Sequence, residues 1–277
     1  MFKNFSILSE KYRNQKIIKL LNNIVFLLAI YYLWKKLEIY ELEKIRLIPL
    51  YTLFIGGFFI LISFFLQSVG WSKLFDTHKT SFFIKAWLSS NIAKYIPFKV
   101  GVIIKRINEI KLNYPTLSGK LITKNYFIEQ LIIVGTALVI SISYFIETIF
   151  HFLVIFFIFV VLMEILQRLV VKVKIFRSIS IYFWSQFFHL TALYTVSSAI
   201  FDSNSLKPAS IYILSTIIGM FVFTAPSGIG VRESIFLFFL AESFDPISAI
   251  TFIVIIRILT TVIDALTYLL SVLFIKK

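Results

Sequence analysis

Apolar runs separated by short charged connections extend along this chain from end to end. A full bilayer crossing takes about 20 mainly apolar residues. Six runs reach that length, near 17–37, 47–69, 125–146, 148–166, 178–200 and 247–275. Two more apolar regions, 81–106 and 208–242, are broken by proline and glycine. The first break reads Pro97-Phe98-Lys99-Val100-Gly101-Val102 and is followed by Lys105-Arg106. The second reads Pro226-Ser227-Gly228-Ile229-Gly230-Val231 and runs into Arg232-Glu233. Proline lacks the N–H a helix needs, and glycine costs about 1 kcal/mol against alanine in a helix. In lipid, broken backbone is tolerated only where protein or a water-filled cavity surrounds it. The pattern predicts an all-α, polytopic integral membrane protein with six full spans and two re-entrant hairpins. The alternative is eight or more full spans.

Charge in the connections supplies an orientation. Segments 1–19, 99–124 and 168–177 are strongly basic, and the chain ends Lys276-Lys277. Lysine and arginine collect on the cytoplasmic side, which predicts cytoplasmic termini in a cell membrane. The connections near Glu147, Asp202 and 242–245 are acidic or nearly neutral and suit the outside, while the mixed segment 35–46 does not discriminate. With both breaks as hairpins, one transmembrane domain spans 1–277. Its halves, 1–147 and 148–277, each hold three spans and one hairpin. An odd number of spans inverts the second half against the first. Transporters built this way place their site where the two hairpins meet.

Composition narrows the chemistry. The 277 residues are 59% hydrophobic and 15% charged, with no cysteine, which removes disulfides, thiolate metal sites and cysteine nucleophiles. The formal net charge of +14 lies mostly in connections beside apolar runs, where it meets anionic lipid, so no nucleic-acid partner is expected. The apolar stretch 24–34 follows a basic region and ends at Lys35-Lys36 without a small-residue cleavage site, so it reads as a retained signal anchor.

The second break opens a helix at Val231, and a helix N-terminus carries unpaired N–H groups and about half a positive charge. Arg232 adds a full charge on a planar fork suited to phosphate. Pro97, Lys99, Gly101, Lys105 and Arg106 repeat the combination of break, glycine and cation. The plainer reading of the second break is a kink packed by glycines, with Arg232 and Glu233 snorkelling or pairing. Three more charges fall within apolar runs: Glu129, Arg257 and Asp264. Each requires an interior position and a partner. Arg257 and Asp264 share a helix face but stand about 10 Å apart along it. Arg257 is therefore expected to reach Glu129 or Glu233, while Glu164 and Arg168 form an ordinary i,i+4 pair. His78, His151 and His189 show no ligand spacing, and Asp76, Asp202, Asp245 and Asp264 form no acidic pair. No metal, cofactor, catalytic residue or enzymatic activity is expected. Trp34, Trp71, Trp87, Tyr31, Tyr32 and Tyr95 read as interfacial or core residues.

The same residues carry a family resemblance. The stretch Ser90-Asn91-Ile92-Ala93-Lys94-Tyr95-Ile96-Pro97-Phe98-Lys99-Val100-Gly101, with Arg106 and then Glu129, resembles the first motif of the lysylphosphatidylglycerol synthetase transmembrane-region family. Pro226-Ser227-Gly228-Ile229-Gly230-Val231-Arg232-Glu233 resembles the second, and Arg257 fits as well. The chain departs at Phe98, where the subgroup usually has glycine, and at Gly101, where it often has tryptophan. With no aminoacyltransferase domain expected after Lys277, the resemblance implies the membrane domain alone and no lipid aminoacylation.

Residues and resemblance together lead to the expectation of a flippase-like lipid translocase. Its partner would be an anionic phospholipid or a polyprenyl-phosphate-linked glycan. Pro97, Lys99, Gly101, Arg106, Pro226, Ser227, Gly228, Gly230, Arg232 and Glu233 would form the binding site. Glu129, Arg257 and Asp264 would form an interior polar network. The alternative is a non-transporting scaffold for a membrane partner enzyme of a surface-glycan or lipid-modification system. A membrane enzyme would have only Glu129 and Glu233 as acid/base candidates.

Overall fold

The computed structural model describes residues 48–75, 80–95, 100–141, 174–201, 206–221, 230–240 and 243–273. The runs expected at 17–37 and 148–166, the Glu164–Arg168 pair, and the tips carrying Pro97, Lys99, Pro226, Ser227 and Gly228 lie outside them. Among the described residues every regular element is helical. They are α1 (Leu50–Ser72), α2 (Thr80–Asn91), a 3-10 turn (Ile92–Tyr95), α3 (Val100–Asn113), α4 (Gly119–Ser141), α5 (Lys174–Phe201), α6 (Lys207–Phe221), α7 (Val231–Leu240) and α8 (Pro246–Leu273). Two of them, α1 and α8, are long and apolar enough to cross a membrane by length and composition.

The order of lengths repeats. A long helix, two short ones and another long one occur as α1–α4, with 23, 12, 14 and 23 residues. They recur as α5–α8, with 28, 15, 10 and 28. Packing follows the same plan. In each quartet the two short helices pack together, and the closing long helix packs on the first two helices of the other quartet. Thus α4 lies on α5 and α6, and α8 lies on α1 and α2.

Among the described residues the most extensive helix–helix packing joins the two opening helices, α1 and α5. Small residues make it close. The Ser178 hydroxyl donates to the Gly70 carbonyl at 2.8 Å, and Ser63 and Ser185 share a hydroxyl contact at 3.3 Å. A methyl group on Gly56 would lie 3.0 Å from Val196 Cγ2 and 3.7 Å from the Ala192 carbonyl oxygen. These contacts step seven residues along each helix in opposite directions, so the pair is antiparallel. A seven-residue period keeps one stripe facing its partner. Glycine, serine and alanine on that stripe let the backbones approach.

Gly70 is where that approach is tightest. A methyl group there would sit 2.7 Å from Tyr182 Cε2, and the Tyr182 hydroxyl is itself held by Glu129. Gly70→Ala should therefore cost about 1–3 kcal/mol through overpacking. Gly135, on α4, has nothing within 4 Å of the added carbon. Gly135→Ala should be neutral or gain up to about 1 kcal/mol from helix propensity. Thermal unfolding in detergent, followed by tryptophan fluorescence, separates the two variants.

The large apolar side chains that do not pack inward point out. On α1 these include Tyr51, Phe54, Phe58 and Phe65; on α8 they include Ile258, Val262, Leu266 and Leu269. Polar groups of the same helices lie inside, among them Ser63, Ser68, Asp264, Thr267 and Ser271. Two apolar clusters fill the interior. One contains Tyr212, Phe236, Phe252 and Ile256, and the other Ile60, Trp71, Phe83, Trp87 and Ile263. Helix α8 crosses from the first to the second, and Arg257, Thr261 and Asp264 occupy the stretch between Ile256 and Thr267.

Candidate functional site

Among the described residues the interior charges fall into three assemblies. The first is closed. Arg106, on α3, and Glu129, on α4, form an ion pair through Nη1 and Oε2. Arg106 is 3% exposed and Glu129 0%. Trp87 Nε1 donates to Glu129 Oε1 at 2.6 Å, and the Tyr182 hydroxyl donates to the same oxygen at 2.9 Å. Arg106 Nε donates to Ser90 Oγ at 2.9 Å. The guanidinium carbon lies 4.5 Å from the Trp71 ring centroid and 5.3 Å from that of Tyr126. Charge, hydrogen bonds and aromatic faces thus satisfy the pair from several sides, as a buried ion pair requires.

Glu129 is thus partnered by Arg106, which leaves Glu233 of the two partners expected for Arg257. Arg106, expected in the binding site, is enclosed by protein, with its Nε and Nη1 committed to Ser90 and Glu129. The pair braces α2, α3, α4 and α5 against one another. Its neighbour Lys105 takes a separate position, with its ammonium 4.6 Å from the Tyr268 ring centroid on α8.

The second assembly joins the 3-10 turn to α8. Asp264 is 1% exposed. It accepts from Asn91 Nδ2 at 2.7 Å, from Lys94 Nζ at 2.7 and 2.9 Å, and from the Tyr95 hydroxyl at 2.8 Å. The Tyr95 and Thr261 hydroxyls lie 3.3 Å apart. Asn91, Lys94 and Tyr95 are the residues that sequence reasoning left out of the site. Their spacing of three and four residues puts them on one face of the turn that closes α2, a signal that was available.

The third assembly joins the start of α7 to α8. Gly230 has φ +86°, a conformation that side-chain-bearing residues adopt only with strain. It caps α7: the Gly230 N–H donates to Glu233 Oε2 at 2.7 Å, and the Ser234 N–H donates to the Gly230 carbonyl at 3.0 Å. The cap fixes Glu233 in the first helical turn, where a carboxylate suits the helix dipole. Its other oxygen accepts from Arg257 Nε at 2.7 Å and from Arg257 Nη2. Arg257 thus takes one of its two expected partners. Arg232 Nη1 lies 3.3 Å from the Tyr212 hydroxyl, and its guanidinium carbon is 5.6 Å from the centre of that ring.

The second and third assemblies are neighbours. Lys94 and Arg232, one from each pair of short helices, lie within electrostatic reach of each other, as do Arg232 and Arg257. Tyr95 also lies within electrostatic reach of Arg257. His189, on α5, lies within electrostatic reach of both Arg232 and Lys94, although in the sequence it stands alone among aromatic residues. Two ion pairs, Lys94–Asp264 and Arg257–Glu233, and the neighbouring Arg232 are therefore grouped over the middle of α8. Gly101 lies buried in the first turn of α3, outside this group. Among the described residues no cluster of histidine, aspartate and glutamate could hold a metal ion. Comparison with protein families, with curated proteins and with solved structures finds no match.

Proposed function

We propose that the chain is a membrane lipid translocase that moves an anionic-headgroup lipid, or a polyprenyl-phosphate-linked precursor, between leaflets. The observation that carries this reading is the meeting of Lys94 and Arg232 over α8, each beside an ion pair that ties its own short-helix pair to that helix. The resemblance of both motifs to the lysylphosphatidylglycerol synthetase transmembrane-region family supports it. So does the distribution of polarity, with large apolar residues facing out from α1 and α8 and their polar groups facing in. Such an arrangement suits a surrounding of hydrocarbon.

Helix length supports re-entrance. At 1.5 Å per residue, the described parts of α2 and α3 are about 18 and 21 Å long, and those of α6 and α7 about 22 and 15 Å. Each falls short of the roughly 30 Å hydrocarbon core. Antiparallel packing of α1 on α5, with the repeated order of helices around them, supports two inverted halves. The proposed site lies where the short-helix pairs meet, inside a cell membrane with both termini cytoplasmic.

In this mechanism a phosphoryl group competes with Asp264 for Lys94 and with Glu233 for the neighbouring arginines. Charge-assisted contacts to phosphate resemble those to carboxylate, so one can replace the other with little net change. Loosening either ion pair frees one short-helix pair from α8, and alternation between the two opens the site to one leaflet at a time.

The test is reconstitution into liposomes carrying a trace of fluorescent phosphatidylglycerol, with dithionite bleaching from outside. The protein should expose the inner-leaflet pool faster than protein-free vesicles do. Arg232→Ala should slow that exposure at least about tenfold, equivalent to 1.4 kcal/mol. No acceleration with either phosphatidylglycerol or a polyprenyl phosphate, or an unchanged rate in correctly inserted Arg232→Ala protein, would refute the reading.

A further inference from the structure

Helix α5 supplies a polar group that neither ion pair uses. His189 is half-buried, and its Nδ1 is buried with no hydrogen-bond partner among the described residues. A buried polar atom without a partner costs about 1–3 kcal/mol. Such an atom in a native structure calls for an explanation, one being a partner supplied by an ion or water from outside the chain. The surroundings of His189 show what that would be. Lys94 comes from the turn after α2 and Arg232 from the first turn of α7, and both lie within electrostatic reach of the imidazole. Nitrogen-bearing groups from three elements are therefore neighbours, and two of them carry full positive charge. A neutral or cationic ligand would gain nothing from the two cations. An oxyanion would accept from all three, since an imidazole N–H, an ammonium and a guanidinium are all donors.

We infer that His189, Lys94 and Arg232 form a subsite for a phosphoryl group, with His189 Nδ1 hydrogen-bonded to one of its oxygens. The inference rests on the translocase reading and adds to it a residue from α5, the helix at the centre of the interface between the two quartets. The ligand would bind against the axis about which the two quartets pack, in contact with both short-helix pairs at once. His189 is then a binding residue that reads the headgroup, while Lys94 and Arg232 hold its charge.

The experiment compares His189→Phe and His189→Asn with the parent in detergent. The probe is dihexanoyl phosphatidylglycerol, titrated by calorimetry, with inorganic phosphate in a parallel arm. Phenylalanine keeps the ring and loses the nitrogen, whereas asparagine keeps an amide close to the place of Nδ1. Loss of one hydrogen bond to a charged group should weaken phosphatidylglycerol binding by about tenfold in His189→Phe. His189→Asn should retain most of the affinity. A packing role predicts the opposite order, with phenylalanine tolerated and asparagine not, and that result overturns the subsite. Histidine-15N labelling of the unaltered protein gives a second measurement, independent of how the variants fold. The chain has three histidines, and the Nδ1 resonance missing from the His189→Asn spectrum should move when the lipid is added. If His189→Phe binds as the parent does while Arg232→Ala does not, the subsite falls and the translocase site stands. If the parent binds neither probe, both fall. Equal responses to inorganic phosphate would support the subsite and make its ligand a free anion.

Discussion

Glu129→Ala should be the most destabilising single substitution among the interior charges, costing about 3–5 kcal/mol. Three donors lose their acceptor at once: Arg106 Nη1, Trp87 Nε1 and the Tyr182 hydroxyl. None can turn to water, because Glu129 and its partners are enclosed by α2, α3, α4 and α5. The guanidinium is the costly one, since a buried charge without its counter-ion keeps its full desolvation penalty. Glu129→Gln should be milder, because an amide oxygen still accepts from Trp87 and Tyr182 while the charge of Arg106 stays unbalanced. Arg106→Leu combined with Glu129→Leu should be less harmful than Glu129→Ala, because both charges leave together. Unfolding in a mild detergent, followed by tryptophan fluorescence, checks the series. Trp71 and Trp87 both face Arg106 and report directly on the assembly. A Glu129→Ala protein within about 1 kcal/mol of the parent, the size of an ordinary substitution, would sink this account.

That assembly also shows where sequence reasoning stops. Positions 106 and 129 both announce themselves as charges in apolar surroundings. Hydropathy, however, gives the axial extent of a helix and not the direction in which each side chain faces a neighbour. The cation expected near Glu129 was Arg257, and only the packing of α3 on α4 brings Arg106 there instead. The same limit hid Asp264. Its partners Asn91, Lys94 and Tyr95 lie some 170 positions away on an element that reads as the end of an apolar run. By contrast, the helical ranges near 47–69, 125–146, 178–200 and 247–275 were legible from apolar length, because burial of such runs leaves helix as the backbone's main option. Gly230 was legible as a break, and its positive φ supplies the reason.

The seven-residue spacing of Gly56, Ser63 and Gly70 was present in the sequence, as was that of Ser178, Ser185 and Ala192. Each stripe alone is unremarkable in an apolar helix. It becomes informative when two of them run in opposite directions against each other, and that pairing is a tertiary fact. His189 is the extreme case. No neighbour in sequence marks it, and its two cations come from elements roughly 40 and 95 positions away, too far for any helical period to register.

Arg257→Ala should abolish most translocation while leaving the fold intact, which is the reverse of the Glu129 result. Arg257 is less enclosed than Arg106, with 12% of its side chain exposed and 20% of its partner's. Its loss leaves Glu233 with the Gly230 N–H and the positive end of α7, so the carboxylate is not stranded. What is lost is the tie between α7 and α8, which in the proposed translocation cycle a headgroup loosens and remakes. A tie made by two donors on one carboxylate oxygen is specific to a guanidinium. Arg257→Lys should therefore restore charge without restoring the two-donor contact, and should recover only part of the rate. In the dithionite assay Arg257→Ala should fall at least about tenfold below the parent. Detergent unfolding of the same protein should shift far less than that of Glu129→Ala. A parental flipping rate in Arg257→Ala would remove this ion pair from the transport cycle. A parental rate in Arg257→Lys alone would reduce its role to that of a fixed positive charge, and the alternation would then rest on Lys94 and Asp264.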